Sequence, residues 1–449
     1  MTASNGFQNG FHQEAKALVK KSGGSESVWD AVFRWLPSRD VDSDYWWQVT
    51  GPQMATMFEE AGYSRERQYE NLLIHYHWTV PYMGSKPDEY GRLKWNCILS
   101  QHGISMVYSW KWNDSNPSSK PDIRIGFEPI GKHSGTAVDP VNQQSSKELL
   151  HSFARRMPLD LNWANHFLST CYDPDTKYWQ AKEAGVPLAT TMMLGYDFLH
   201  DGLTLKTYFF PRLAGQRLLP MDRWDTSLRE VLSANSVSGT TALDTLLEFL
   251  KTSPEGQLLM PTGLAIDNGT NSPSGSSTSR LKFYFRGPKT TFASVREIMT
   301  LGGKIPDLEP QLQSLHTLLK DVTGLPQNYP DDADVPVYHG FGTGTSPLGK
   351  AAYYLYYFDI APEADLPDIK FYTPLTHYGQ DDRKSAQGIT RWMESQGRGS
   401  YCENYLRMLE KVAGERTLES GNGLQSYLSC LFKKDGELDV TSYFLTQRC

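Results

Sequence analysis

The sequence predicts an α+β fold, a closed antiparallel β-barrel ringed by helices. Two observations predict it. Segments with strand character come in turn-joined pairs, and helix pairs separate these hairpins along the chain. Turn-joined strands run antiparallel, and a run of hairpins with helices between them closes naturally into a barrel with the helices outside. The second observation is a repeated face. In Arg280-Leu281-Lys282-Phe283-Tyr284, strand alternation puts Arg280, Lys282 and Tyr284 on one side and Leu281, Phe283 and Phe285 on the other. Leu205-Lys206-Thr207-Tyr208-Phe209 and Ile369-Lys370-Phe371-Tyr372 repeat the pattern, and Ile123-Arg124-Ile125 repeats it without the tyrosine. An ordinary half-buried strand turns mixed polar residues to water. A face that collects cations and tyrosines suits the wall of an inner chamber, one that holds a polyanion beside an electron-deficient carbon.

Taken in order, residues 28–36, 52–62 and 68–79 read as helices. Pro52 suits a first helical turn, with Met54, Met57, Phe58 and Ala61 as the apolar stripe behind it. Strands are expected at 93–99, 104–112 and 122–128, then helices at 145–155 and 160–171. The strands 189–198 and 203–210 flank the turn His200-Asp201-Gly202. Helices at 222–234 and 241–251 precede strands at 262–266 and 280–286. Helices at 291–301 and 308–322 precede strands at 351–359 and 368–373. Helices at 383–395 and 400–412 lead to the last pair, 424–432 and 438–446. The low-complexity run 267–279 leads straight into the Arg280 strand and reads as a loop within one domain. The expected organisation is a flexible tail over 1–25 and a single barrel domain over 26–449.

Composition narrows the function. The 449 residues are 39% hydrophobic, enough for a large core, and the formal net charge of −7 argues against a general nucleic-acid or anionic-membrane surface. No apolar run is long enough to span a bilayer, and the polar N-terminus has no apolar signal core. The five cysteines are scattered without metal-ligand spacing, which fits a reduced, cytoplasmic setting. Gly344-Thr345-Ser346-Pro347-Leu348-Gly349-Lys350 looks like a phosphate loop. It leads into Tyr353-Tyr354-Leu355-Tyr356-Tyr357-Phe358, a strand-like run where a helix would have to receive the phosphate, so it reads as a glycine-rich hairpin approach.

Further phrases surround the cation strands. They are Trp46-Trp47, Gln68-Tyr69, Val80-Pro81, Arg124-Ile125-Gly126-Phe127-Glu128-Pro129, Ser134-Gly135-Thr136, Asp139-Pro140-Val141-Asn142 and Thr300-Leu301-Gly302-Gly303. In this order and spacing the chain resembles, over nearly its whole length, the fungal aromatic prenyltransferases of the dimethylallyltryptophan synthase type. Their fold is the α-β-β-α prenyltransferase (PT) barrel. The resemblance implies that Arg124, Lys206, Arg280, Lys282 and Lys370 bind a prenyl diphosphate, with Tyr208, Tyr284, Tyr372 and Tyr443 beside it. It implies that Tyr208, Tyr284, Tyr372, Tyr427 and Tyr443 wall the allyl cation. Elementary physics agrees. Five cations gathered in a low-dielectric interior would repel one another without an anion. A prenyl diphosphate brings roughly three negative charges. Its ionisation leaves a cation that tyrosine faces stabilise by about 0.5–2 kcal/mol each while their bulk excludes water.

Chain-elongating prenyl synthases instead hold diphosphate through magnesium on Asp-Asp-x-x-Asp helices. Asp331-Asp332-Ala333-Asp334 and Asp381-Asp382-Arg383-Lys384 do not match that pattern, so no cofactor and no metal requirement are expected. The resemblance also marks departures. Val107 stands where many indole-using relatives carry a glutamate for the indole N–H, and Met193 where tryptophan-using relatives carry a lysine base. Gly126, beside Arg124, leaves room in the same pocket. Val107, Gly126 and Met193 are therefore the expected acceptor wall. The expected activity is dimethylallyl transfer to a large indole-containing metabolite by electrophilic aromatic substitution. The alternatives are a phenolic or polyketide acceptor, or a non-catalytic barrel for an anionic ligand. Expected partners are small molecules, with a homodimer left open.

Overall fold

The computed structural model describes residues 5–21, 26–95, 97–100, 103–170, 189–210, 212–213, 217–218, 221–234, 241–269, 279–337, 353–361 and 364–448. The phosphate-loop-like run at 344–350 lies outside them. Ten strands form the barrel. They are β1 Met106–Lys111, β2 Asp122–Phe127, β3 Met192–Phe198, β4 Leu203–Phe209 and β5 Met260–Asp267. They continue as β6 Arg280–Gly287, β7 Tyr354–Ile360, β8 Asp368–Pro374, β9 Gln425–Phe432 and β10 Leu438–Leu445. Each pairs antiparallel with its neighbour in sequence, and β10 closes on β1 through pairs such as Tyr443 with Ser109. A separate two-stranded piece joins Arg212–Leu213 to Arg217–Leu218.

The outward faces of the strands carry the core. Leu281, Phe283 and Phe285 of β6 are fully buried, as are Phe358 of β7 and Phe371 of β8. Trp224, on the helix Met221–Ala234, meets Phe283 at 5.0 Å between ring centroids. Tyr405, on Cys402–Ala413, packs against Trp110 and Trp112. Phe58, on Val41–Glu60, meets Phe198 at 5.3 Å. Each such side chain contributes about 1.5–3 kcal/mol of burial, so the helix ring is held on by the apolar half of the strand alternation.

Three local expectations are corrected. Pro52 does not start its helix. The helix begins at Val41, where the Asp40 side chain accepts from the backbone N–H groups of Asp42 and Ser43, and it carries Pro52 in its interior. The helix expected over 68–79 is present, as Arg65–Ile74 continued by the wider helical turns of His75–Thr79, with His75 Nε2 2.7 Å from Thr50 Oγ1. Residues 93–99, expected as a strand, are irregular where described. Their polar groups bond sideways instead, Trp95 Nε1 to Thr190 Oγ1 at 3.0 Å and Leu99 N to Glu128 Oε1 at 2.8 Å. Within the expected flexible tail, Asn5–Lys21 is a helix with Ala15 and Leu18 buried.

Candidate active site

Alternation carries the other face of every barrel strand inward, and the inward residues fall into layers along the barrel. At one end stand all five sequence-predicted cations: Arg124 on β2, Lys206 on β4, Arg280 and Lys282 on β6, and Lys370 on β8. Four aspartates, missed in the sequence, interleave with them: Asp197, Asp267, Asp359 and Asp439. Strand register makes the alternation. Asp197 sits opposite Arg124, Asp267 opposite Lys206 and Arg280, and Asp359 opposite Lys282. Lys206 Nζ lies 2.6 Å from Asp197 Oδ2, with Arg124 Nε 3.4 Å from the same oxygen. Lys282 pairs with Asp267, and Arg280 pairs with Asp359. Lys370 Nζ donates to Thr441 Oγ1 at 3.3 Å. The cations are therefore not left to repel one another, because carboxylates separate them. The signal was present in the sequence: Tyr357 and Asp359 keep the same two-residue spacing as Tyr284 and Lys282.

Charge states follow from burial and neighbours. Burial opposes ionisation of Asp197, yet Arg124 and Lys206 hold its carboxyl below the usual range. Burial pushes the Lys370 ammonium down to about 8, partly offset by Asp439.

Beyond the charged layer lies a tyrosine layer. Tyr284 is the hub, 5.4 Å from Tyr357, 6.3 Å from Tyr372 and 6.4 Å from Tyr208 between centroids. Tyr372 lies 5.8 Å from Tyr443. Four of the five predicted tyrosines thus share one wall, and Tyr357 joins them unpredicted. Burial raises the phenol pKa of Tyr208, Tyr284, Tyr357 and Tyr372, so they stay protonated. Tyr427 is placed differently. It stands opposite Tyr443 in register, at the edge of the wall, and adjoins Tyr353 and Arg286, with Arg286 4.5 Å over the Tyr353 ring.

The expected acceptor residues also converge. Val107 lies opposite Gly126, and Met193 lies opposite Tyr208. A Cβ on Gly126 would come 3.2 Å from Val107 Cγ2, 3.8 Å from Met193 Cε and 4.0 Å from Leu99 Cδ2. The space beside Gly126 is thus closely bounded by three apolar side chains, of which Leu99 was not predicted. Leu99 is anchored through its backbone to Glu128, whose fully buried carboxyl is pushed up to about 7 by desolvation. Among the described residues, no group of three or more His, Cys, Asp or Glu side chains could hold a metal ion.

A chamber with cations at one end and tilted tyrosine rings beyond them matches a particular chemistry, and sequence comparison agrees. The profile of a family described as tryptophan dimethylallyltransferase matches residues 42–408. The chain belongs to this family. This prenyltransferase is 48% identical over 429 residues to prenyltransferase anuH of Penicillium roqueforti (strain FM164), covering 93% of this chain and 91% of that one. It is 44% identical to xanthone prenyltransferase A of Emericella nidulans, covering 93% and 95% of the two chains. Two solved structures show the same barrel at lower identity. NotF in complex with brevianamide F and DMSPP gives a TM-score of 0.74 at 21% identity, covering 94% of this chain and 99% of that one. AnaPT from Neosartorya fischeri gives 0.74 at 19%, covering 94% and 98%. The protein is an aromatic prenyltransferase. The family match ends before β9 and β10, so the place of Tyr443 in the wall rests on the fold itself.

Proposed function

We propose that this prenyltransferase moves a dimethylallyl group from dimethylallyl diphosphate onto a ring carbon of a polycyclic phenol, without a metal. The observation that carries the reading is the arrangement of the chamber: cations at one end, then tyrosine faces, with an apolar wall of Val107, Gly126 and Met193 beside them. Arg124, Lys206, Arg280, Lys282 and Lys370 would hold the diphosphate, Lys206 and Lys282 turning from their aspartates and Lys370 from Thr441 towards phosphate oxygens. The C–O bond breaks and its electron pair leaves with the diphosphate. The allyl cation forms against Tyr208, Tyr284, Tyr357, Tyr372 and Tyr443, whose faces stabilise it and whose bulk excludes water. A ring π pair of the acceptor attacks it, forming the C–C bond, and the ring proton then leaves to a base such as the departing diphosphate.

Sequence reading placed a large indole metabolite first and a phenol second. Two observations favour the reverse order. The Val107, Leu99 and Met193 side chains of the acceptor wall offer no oxygen to an indole N–H. Relatives at 44% and 41% identity are xanthone prenyltransferases. The indole remains the second reading, because an apolar wall can hold any polycyclic ring by burial, at about 25 cal/mol per Å². Free tryptophan is disfavoured in either case, since its ammonium and carboxylate would be costly to bury unpaired. The test is product mass and kcat/KM across hydroxyxanthones, cyclic tryptophan dipeptides and tryptophan, with dimethylallyl diphosphate as donor. The reading expects hydroxyxanthones to rank first; a higher kcat/KM for either indole class would overturn it.

A further inference from the structure

Every cation at the diphosphate end of the chamber has an oxygen partner: Arg124 and Lys206 have Asp197, Lys282 has Asp267, Arg280 has Asp359 and Lys370 has Thr441. Arg286 is different. It is the next inward residue of β6 after Tyr284, and its neighbours in register are Met260 on β5 and Leu355 on β7. Among the described residues no carboxylate lies within ion-pair distance of it. Its guanidinium stacks 4.5 Å over the ring of Tyr353, and Tyr427 adjoins both.

Position along the strand decides which substrate this cation serves. Lys282 and Arg286 are four residues apart on one strand, about 13 Å at 3.3 Å per residue. Tyr284 stands between them, in the middle of the ring wall. An anion held by Lys206, Lys282 and Lys370 is therefore on the far side of the tyrosine layer from Arg286. A guanidinium is always charged and presents planar paired donors suited to carboxylate or oxyanion geometry. A half-buried arginine with an aromatic face on one side and no acid beside it leaves those donors to a ligand.

We propose that Arg286 is a specificity-determining residue that binds an anionic oxygen of the aromatic acceptor, a ring carboxylate or an acidic phenolate, with Tyr353 and Tyr427 flanking that group. The inference rests on the phenolic reading above. It makes the acceptor amphipathic: an apolar ring body for the wall of Val107, Leu99 and Met193, and one anionic edge for Arg286.

The test compares the parent enzyme with Arg286→Leu and Arg286→Lys. Acceptors are a hydroxyxanthone carrying a free carboxylate, its methyl ester, and a hydroxyxanthone without a carboxyl assayed across the pH range of its phenol. Binding of the unreactive donor analogue dimethylallyl S-thiolodiphosphate is measured alongside. The parent is expected to prefer an anionic acceptor at least tenfold in kcat/KM. For a carboxylate partner, the preference is acid over ester. For a phenolate partner, it is a rise with pH through the phenol's own pKa. Arg286→Leu should abolish the preference, Arg286→Lys should restore part of it, and analogue affinity should move less than twofold. Arg286→Leu retaining the preference would overturn the proposal. So would loss of donor-analogue affinity in step with it, which would assign Arg286 to the diphosphate instead. If the parent prenylates indoles and no phenol, it is the phenolic reading that fails, and the donor-analogue measurement still reports independently on where Arg286 acts.

Discussion

The two ends of the chamber are built differently. The diphosphate end is made entirely of strand residues locked in register, cation beside carboxylate, so its charges are fixed by the same hydrogen-bond ladder that closes the barrel. The acceptor end is made of small and apolar residues on β1, β2 and β3 plus Leu99 on an irregular segment, held by a hydrogen bond to Glu128. On the proposed reading the first end can be rigid because its ligand group, a diphosphate, does not vary. The second is open to change by single residues that the barrel does not need. The difference teaches where to look for catalysis and where for specificity.

The largest break in this contrast should come from the charged layer. Lys206→Ala or Arg280→Ala should lower kcat/KM on the order of 100-fold or more, because each removes a charge-assisted donor to the leaving group. The structure adds a second expectation for Arg280→Ala. Asp359 is almost wholly buried and would lose its partner, so thermal stability should fall, and Asp359→Asn in the same chain should recover stability without activity. Thermal melts and steady-state assays separate the two effects.

The tyrosine layer should give the next largest effect on kcat. Tyr284→Leu removes the hub of the wall, and kcat should fall roughly fivefold, from about 1 kcal/mol of lost cation stabilisation. Dimethylallyl alcohol should rise as a fraction of product as water reaches the cation. Tyr427→Leu, at the edge of the wall opposite Tyr443 and beside Tyr353, should raise that fraction less.

At the acceptor end, Gly126→Val should raise the KM for a large acceptor roughly tenfold, since even its Cβ would meet Val107 at 3.2 Å. Competition assays with smaller phenols should show a shift towards them.

A smaller effect is the pH response of the cation layer. With its ammonium pushed down to about 8 by burial, Lys370 is charged below that pH and loses its proton as the pH rises through it. Affinity for the diphosphate should therefore weaken on the alkaline side of 8. Lys370→Arg, which keeps its charge, should remove that limb from the pH profile of kcat/KM for dimethylallyl diphosphate. The smallest effect should be that of a chelator: activity should persist in excess EDTA, and loss restored by magnesium would contradict the account.

Much of the barrel was legible because strand alternation writes both faces into the sequence. Leu281, Phe283 and Phe285 mark the helix side of β6, and Arg280, Lys282 and Tyr284 mark the chamber. What stayed hidden depended on partners far away in sequence. Asp267 and Asp359 show as counter-ions of the β6 cations only once three strands are set in register. Leu99 enters the acceptor wall through a buried carboxylate 29 residues away, in a segment whose residues read as a strand. Asp40 rather than Pro52 starts the long early helix because a capping carboxylate satisfies two free N–H groups, whereas a proline only fails to need one.

The central claim is that the two ends bind the two substrates separately, and equilibrium binding of dimethylallyl S-thiolodiphosphate tests it most directly. The variants to compare with the parent are Arg280→Ala/Asp359→Asn at one end and Gly126→Val at the other. The account predicts at least tenfold weaker binding in the first and a change under twofold in the second. Equal weakening in both, or none in the first, would contradict it.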